Sequence, residues 1–299
     1  MKLTALAAPH FDLAVTLDSG QTFHWEPHGV GFVGTIGHCA LHIEQRGDEL
    51  LVPCGAEEIV RHYFALDHPL EEICTSLPTD AAMVAARDYC RGLRIMRQPL
   101  WECLASFITS SMKQVAHIRQ MSRALRERFG ERLTENATKI YAFPGAERLA
   151  QATEQELRAC GLGYRAKNLL ATAQLVSTGA AELEVWRDLP DDELRAQLCG
   201  LPGVGAKVAN CVMLFAYERL RAFPIDVWIE RVLKDQYFPR ARKLTPQRLR
   251  EFCDSYFGEH GGYAQQYLFH HARKTTPRRR RARKSLRGAS PLARTRSLR

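Results

Sequence analysis

The sequence predicts an α+β protein, with an N-terminal antiparallel β-sheet domain followed by a mostly α-helical domain. Three observations carry this. Up to about residue 76 the apolar residues come in short β-prone runs separated by turn residues. From about residue 77 they recur at helical spacing. From Pro277 the chain holds Arg278-Arg279-Arg280-Arg281-Ala282-Arg283-Lys284, too cationic and too poor in apolar residues to build a core. The expected division is residues 1–76 as a β-rich domain, 77–272 as a helical domain and 273–299 as a disordered basic tail.

The elements follow in order. Phe11-Asp12-Leu13-Ala14-Val15-Thr16-Leu17 alternates apolar and other residues and reads as a strand, ended by Asp18-Ser19-Gly20. Gly31 to Ile36 and His38 to Ile43 read as strands parted by Gly37. Gln45-Arg46-Gly47-Asp48 reads as a hairpin turn before Glu49-Leu50-Leu51-Val52. Helices are expected from Ala81 to Cys90, from Leu100 to Thr109 (apolar enough to be buried) and from Gln114 to Phe129, stopped by Gly130. Thr153-Glu154-Gln155-Glu156 has the pattern of a capping box. Its helix ends at Cys160-Gly161, and another begins near Tyr164. Further helices are expected from Asp191 to Cys199, Lys207 to Ala216, Val227 to Gln236, Thr245 to Tyr256 and Tyr263 to Ala272.

Composition excludes several classes. The 299 residues include 42 Lys+Arg and 33 Asp+Glu, a formal net charge of +9. Twelve of the cations, and no acid, lie from Arg273 to Arg299, so the remainder is slightly acidic, with 30 basic and 33 acidic residues. No apolar run reaches the roughly 18 residues that span a bilayer, so no membrane segment is expected. The opening Met1-Lys2-Leu3-Thr4-Ala5-Leu6-Ala7-Ala8 resembles a signal peptide only until Pro9-His10 and Asp12 interrupt it. The nine cysteines are odd in number and none forms a C-x-x-C pair. They read as reduced thiols of a cytosolic protein, with no four-cysteine set for zinc or an iron–sulfur cluster. No metal or cofactor is expected.

The chemistry is concentrated in Leu201-Pro202-Gly203-Val204-Gly205-Ala206-Lys207, between a short helix and an apolar one. Gly203 and Gly205 around Val204 allow a hairpin that a phosphate backbone can approach closely, with amides at the second helix's start as donors. Taken alone, this also fits an ordinary helix–helix turn. Lys207 opens a helix of Val208, Ala209, Cys211, Val212, Met213, Leu214 and Phe215. Partial desolvation there would free its amine as a nucleophile; a lone lysine would more simply snorkel to water. Asp226 follows nineteen residues later, at a helix N-cap after Phe223-Pro224-Ile225. A helix, a turn and a return could place amine and carboxylate in one cleft.

LPGVGAK, the apolar helix and then PID resemble the helix-hairpin-helix DNA glycosylase superfamily, and more closely the eukaryotic-type 8-oxoguanine DNA glycosylases. The segments agreeing in order are Ser19-Gly20-Gln21-Thr22-Phe23-His24-Trp25, the stretch from Glu102 to Ser111, Gly161-Leu162-Gly163-Tyr164-Arg165-Ala166, the hairpin with Lys207, Pro224-Ile225-Asp226-Val227, and Gly262-Tyr263-Ala264-Gln265 through Phe269. The resemblance spans essentially residues 10 to 272. It implies a base-excision repair enzyme acting on double-stranded DNA containing oxidised guanine, with the damaged nucleotide flipped out of the helix. Lys207 would be the nucleophile and Asp226 the stabilising carboxylate. Gly20 would accept a hydrogen bond from the N7–H that oxidation adds to guanine. The purine would lie between Phe269 and Cys211, and Gln265 would bind its Watson–Crick edge. Tyr164 would be a wedge in the stack. Arg165, the hairpin residues Gly203, Val204 and Gly205, and the residues at the orphaned base, here Met112 and His117, would meet DNA.

At that last place the chain departs from the family. After Ser110-Ser111 the family has an asparagine run and then an arginine; here Met112-Lys113-Gln114 and His117 stand there. Met112 can wedge but cannot donate to cytosine, so weaker discrimination of the opposite base is expected. Trp228 replaces a frequent polar phosphate contact. The alternatives are a monofunctional glycosylase for alkylated bases, which lacks the lysine, and a non-catalytic DNA-binding module. An endonuclease III relative would carry a C-terminal four-cysteine cluster, absent from the sequence. A monomer is expected, cytoplasmic and nucleoid-associated if bacterial, nuclear if eukaryotic.

Overall fold

Two two-residue turns, Gly37-His38 and Gly47-Asp48, close the hairpins on which the N-terminal sheet is built. The computed structural model describes residues 2–135 and 138–276. Its sheet holds β1 (Leu3–Ala7), β2 (Glu26–His28), β3 (Gly31–Ile36), β4 (Cys39–Arg46) and β5 (Glu49–Pro53) in the order β1-β5-β4-β3-β2, every pair antiparallel. Leu3–Ala7, where the sequence shows an abortive signal-like start, is an edge strand paired with β5.

The expected strand over Phe11–Leu17 is instead α1 (Leu13–Asp18). Asp12 decides it, because its carboxylate accepts the Val15 amide at 2.8 Å and caps a helix. Leu13 and Leu17, one turn apart, then bury together against the sheet. Two further helices, α2 (Glu57–Tyr63) and α3 (Leu70–Ser76), occupy a stretch read as strands. Their buried residues, Val60 with Tyr63 and Leu70 with Ile73, recur every three residues rather than every two.

The helical expectations are met by α4 (Ala81–Tyr89), α5 (Leu100–Ser110) and α6 (Val115–Phe129). A hairpin of β6 (Arg132–Glu135) and β7 (Thr138–Tyr141), not foreseen from the sequence, follows. Then come α7 (Ala146–Ala150), α8 (Glu154–Leu157), α9 (Arg165–Ser177), α10 (Asp191–Cys199), α11 (Ala206–Phe215), α12 (Val227–Val232), α13 (Pro246–Tyr256) and α14 (Gly261–Thr275). The Thr153–Glu156 capping box is formed in full. Helix α14 runs past Ala272 because Arg273 donates to the Asp18 carbonyl and Lys274 pairs with the Asp18 carboxylate. The first residues expected in the tail, through Thr276, therefore belong to the body; residues 277–299 lie outside the described residues. Among the described residues no helix is long and apolar enough to cross a membrane.

One apolar cluster (Leu6, Leu13, Ile43, Leu50, Val52, Phe64) lies on the sheet, and a larger one fills the helical part. A polar network joins them. Arg126 donates to the Thr35 hydroxyl at 2.9 Å and the Tyr141 carbonyl at 3.0 Å, and pairs with Glu102 inside the core. Beside them the His24 Nε2–H donates to the Thr35 carbonyl at 2.8 Å, which leaves Nδ1 to accept from the Thr22 hydroxyl at 3.1 Å. Burial pushes the His24 pKa well down, so the ring is neutral. Arg126→Met strands the Glu102 charge and is expected to cost about 3–5 kcal/mol, measurable by urea unfolding. A loss below about 1 kcal/mol would mean that the pair does not hold the two parts together.

Candidate active site

Helical periodicity assembles the cleft. Lys207, Cys211 and Phe215, four residues apart on α11, share one face; Gln265 and Phe269 do the same on α14. Together with Gly20, Phe107, Pro224, Asp226 and Gln266 they line a single cleft. Both residues expected to be catalytic and all four expected to bind substrate thus converge, although up to 249 residues separate Gly20 from Phe269.

Lys207 is half-buried. Its Nζ lies 5.1 Å from the centre of the Phe107 ring and donates to Ser110 Oγ at 3.5 Å. The Ser110 hydroxyl hydrogen is committed to the Phe107 carbonyl at 2.8 Å, so its oxygen is left to accept from the lysine. Phe107 stacks on Phe215, centroids 5.4 Å apart, which fixes α5 against α11 beneath the amine. Burial raises the Cys211 thiol, the neighbouring Lys207 charge opposing it, and pushes Cys103 well up. Both remain neutral thiols and Cys211 offers a polarisable wall. Asp226 accepts the Ile229 amide at 2.9 Å and so caps α12. Burial raises its pKa, opposed by that amide and by Lys207.

The Gly20 loop is held from all sides. The Ser19 carbonyl accepts from Gln266 Nε2 at 3.0 Å, the Asp18 carbonyl from Arg273, and the Gln21 carbonyl from Gln98 Nε2 at 2.7 Å. Buried Gln21 also donates to the Arg94 carbonyl at 2.8 Å and accepts the Met96 amide at 2.9 Å. None of these bonds uses the Gly20 carbonyl. Gly20 has φ +91°, and a Cβ there would meet Phe269 at 3.2 Å, so glycine alone fits without strain. Gln265 is buried and, among the described residues, its Oε1 has no partner. The cleft therefore presents an unused acceptor, a rigid glycine edge and an aromatic face.

At the hairpin, Gly203 has φ +82° and a Cβ would come within 2.8 Å of Asn168. Gly205 is exposed and begins α11. The Val204 side chain is buried and its amide donates to the Leu201 carbonyl at 3.1 Å. Gly205 and the first amides of α11 are the donors the hairpin offers. Arg165, expected to face DNA, is displaced. It is 5% exposed, donates to the Ser111 carbonyl at 2.8 Å and the Leu162 carbonyl at 3.3 Å, and lies 4.4 Å from the Tyr164 ring centre. It ties together two projecting side chains, Tyr164 at 57% exposure and Met112 at 94%, the latter on a backbone at φ +55°. His117 is exposed on the first turn of α6. Trp228 is half-buried, with Arg231 over its ring. Among the described residues no three His, Cys, Asp or Glu side chains gather closely enough to hold a metal ion.

Residues 4–104 match the family model described as 8-oxoguanine DNA glycosylase, N-terminal domain, and residues 105–255 match that of the HhH-GPD superfamily base excision DNA repair proteins. The chain is 31% identical over 278 residues to the N-glycosylase/DNA lyase OGG1 of Arabidopsis thaliana, covering 86% of this chain and 76% of that protein. The chain belongs to the 8-oxoguanine DNA glycosylase family. Two solved structures of such glycosylases share the fold. MBOgg1 in complex with a low-affinity DNA ligand has a TM-score of 0.85 at 30% identity, covering 91% of this chain and 99% of that one. The Clostridium acetobutylicum 8-oxoguanine glycosylase/lyase, in complex with double-stranded DNA containing cytosine opposite 8-oxoG, has a TM-score of 0.84 at 28% identity, covering 91% and 98%.

For this glycosylase the sequence reading missed the supports of the cleft. Phe107, Ser110 and Phe215 looked like core of apolar helices, and two of them are buried wall rather than filler. For Phe215 the available signal was its i, i+4, i+8 spacing with Lys207 and Cys211 on α11; Phe107 and Ser110 lie on α5, which carries no expected site residue. Gln266 had none, because its target is a backbone carbonyl 247 positions away.

Proposed function

We propose that this protein excises 8-oxoguanine from duplex DNA and then cleaves the resulting abasic site by β-elimination. The observation that supports this best is the single cleft shared by Lys207, Asp226, Gly20, Cys211, Gln265 and Phe269. The extruded base enters between Phe269 and Cys211. The free Gly20 carbonyl accepts the N7–H that only the oxidised base has, and Gln265 takes the Watson–Crick edge. Lys207 Nζ attacks C1′ of the sugar; the N-glycosidic bond breaks and its electron pair leaves with the base, which takes up a proton. Loss of the amine proton and ring opening give a Schiff base. Removal of a C2′ proton from it expels the 3′ phosphate. The Asp226 carboxylate stabilises the cationic sugar in a water-poor cleft, where such charge interactions are strongest. A monofunctional glycosylase has no need of an amine in this position.

Borohydride reduction tests the reading directly: an 8-oxoguanine duplex incubated with the protein should yield a covalent protein–DNA adduct, and an undamaged duplex should not. Absence of an adduct with the lesion would defeat it.

Met112 and His117 carry a second expectation. A thioether donates no hydrogen bond to cytosine, and Arg165 is occupied with Ser111 and Leu162. Excision of 8-oxoguanine opposite C and opposite A should therefore differ by less than about tenfold, since a bidentate base contact is worth roughly 1–3 kcal/mol of discrimination and neither Met112 nor Arg165 offers one. Single-turnover rates on the two duplexes check this, and a strong preference for C would refute it.

A further inference from the structure

The charge of the folded body is segregated. Of the 30 basic and 33 acidic residues before Arg273, seven basic and one acidic fall between Arg231 and Arg250, leaving the rest with 23 basic and 32 acidic. That stretch has a net charge of +6 on a body that is otherwise −9. Arg231, Lys234, Arg240, Arg242, Lys243, Arg248 and Arg250 are all exposed. Elsewhere arginines such as Arg97, Arg123, Arg126 and Arg219 are paired with carboxylates; among the described residues none of these seven is. Arg231 lies 5.3 Å over Trp228 and Arg248 lies 5.4 Å over Phe238, contacts that orient a guanidinium without neutralising it. Phe238 packs on Phe252, centroids 4.8 Å apart, which pins the loop carrying Arg240, Arg242 and Lys243 to α13.

The patch begins at the cleft. Asp226 lines the cleft and caps α12, and Arg231 is five residues further along, about 7 Å of helix rise. Nearer the cleft, Arg165 is buried in backbone contacts and Lys207 faces the reacting centre, which leaves the single exposed lysines Lys113 and Lys167 rather than a cluster.

We propose that the Arg231–Arg250 surface binds the phosphate backbone of duplex DNA beside the extruded nucleotide and supplies much of the body's sequence-blind affinity. The proposal rests on the reading that this protein acts on DNA. A row of exposed, unneutralised cations fits a polyanion, and an acidic body elsewhere repels DNA from other faces.

The test uses the full chain, Arg240→Gln/Arg242→Gln/Lys243→Gln and Arg231→Gln/Lys234→Gln, with a lesion-free duplex titrated across a range of salt. Removing one phosphate partner flattens the slope of log affinity against log salt by about 0.9. The triple variant is expected to lose up to about 3 units of slope and at least about tenfold in affinity. On an 8-oxoguanine duplex, the enzyme concentration for half-maximal single-turnover excision should rise in parallel while the plateau rate holds. Wild-type slope and affinity in both variants would overturn the proposal and leave the surface to an acidic protein partner. A collapsed plateau rate would overturn it too. The two readings fail separately: if wild-type protein forms the borohydride adduct but the variants bind as it does, only the phosphate surface is wrong.

Discussion

Lys207→Gln should form no borohydride adduct with an 8-oxoguanine duplex and should excise the base at least about a thousandfold more slowly than wild type. The size of the effect follows from the geometry. Phe107, Ser110 and Cys211 surround one amine and, among the residues lining the cleft, no second amine could replace it. Glutamine keeps a polar side chain one atom shorter, so it should leave intact the α5–α11 packing, which rests on the Phe107–Phe215 stack, while giving up the long contact to Ser110. Quantifying the trapped complex by gel mobility, together with thermal unfolding of the variant, separates lost chemistry from lost fold. Unchanged trapping would move the nucleophile elsewhere and remove the basis for the Schiff-base mechanism.

Asp226→Asn should lower the single-turnover excision rate by about a hundred- to a thousandfold while lowering stability by less than about 1 kcal/mol. Asparagine caps helices about as well as aspartate, so the α12 cap through the Ile229 amide survives while the negative charge on the cleft is lost. The two roles of this residue are thereby separated. The pH dependence follows from the same burial. The carboxylate is the active form, and its pKa lies above the ordinary aspartate value of 3.8. Excision should therefore be full above the raised pKa and fall as pH drops through it, at a higher pH than an exposed aspartate would give. Because the folded pKa is raised, protonating Asp226 favours the folded state, so unfolding driven by this group cannot account for the loss. A pH–rate profile in which wild type and Asp226→Asn show the same acid limb would assign that limb to another residue.

Much of the cleft was legible because its chemistry sits in short motifs. Lys207 opens an apolar helix and Asp226 is both an N-cap and a carboxylate, whereas Cys211, Gln265 and Phe269 stood out only through the family resemblance. The antiparallel sheet was legible from its turn residues. Helix α1 was not, since seven residues of Phe11–Leu17 satisfy both periods and the Asp12 cap outweighed the alternation. Arg165 and Val204 show a different limit. Both belong to the right motifs, but whether an arginine meets solvent or a carbonyl depends on Ser111, 54 positions away, and Val204 is turned inward by the core.

By itself, then, the sequence determined which groups are available: an amine at the start of an apolar helix, a capping carboxylate, a glycine loop, a thiol on one helix and an aromatic ring on another. Those are local properties, set by residue type and by spacing along one helix or turn. Only the tertiary structure decided which of them meet, which contacts hold the Gly20 loop, and which cations, among the described residues, have no carboxylate partner. Contacts between residues hundreds of positions apart, such as Gln266 with Ser19 or Lys274 with Asp18, depend on how helices and sheet pack, and no local pattern encodes them.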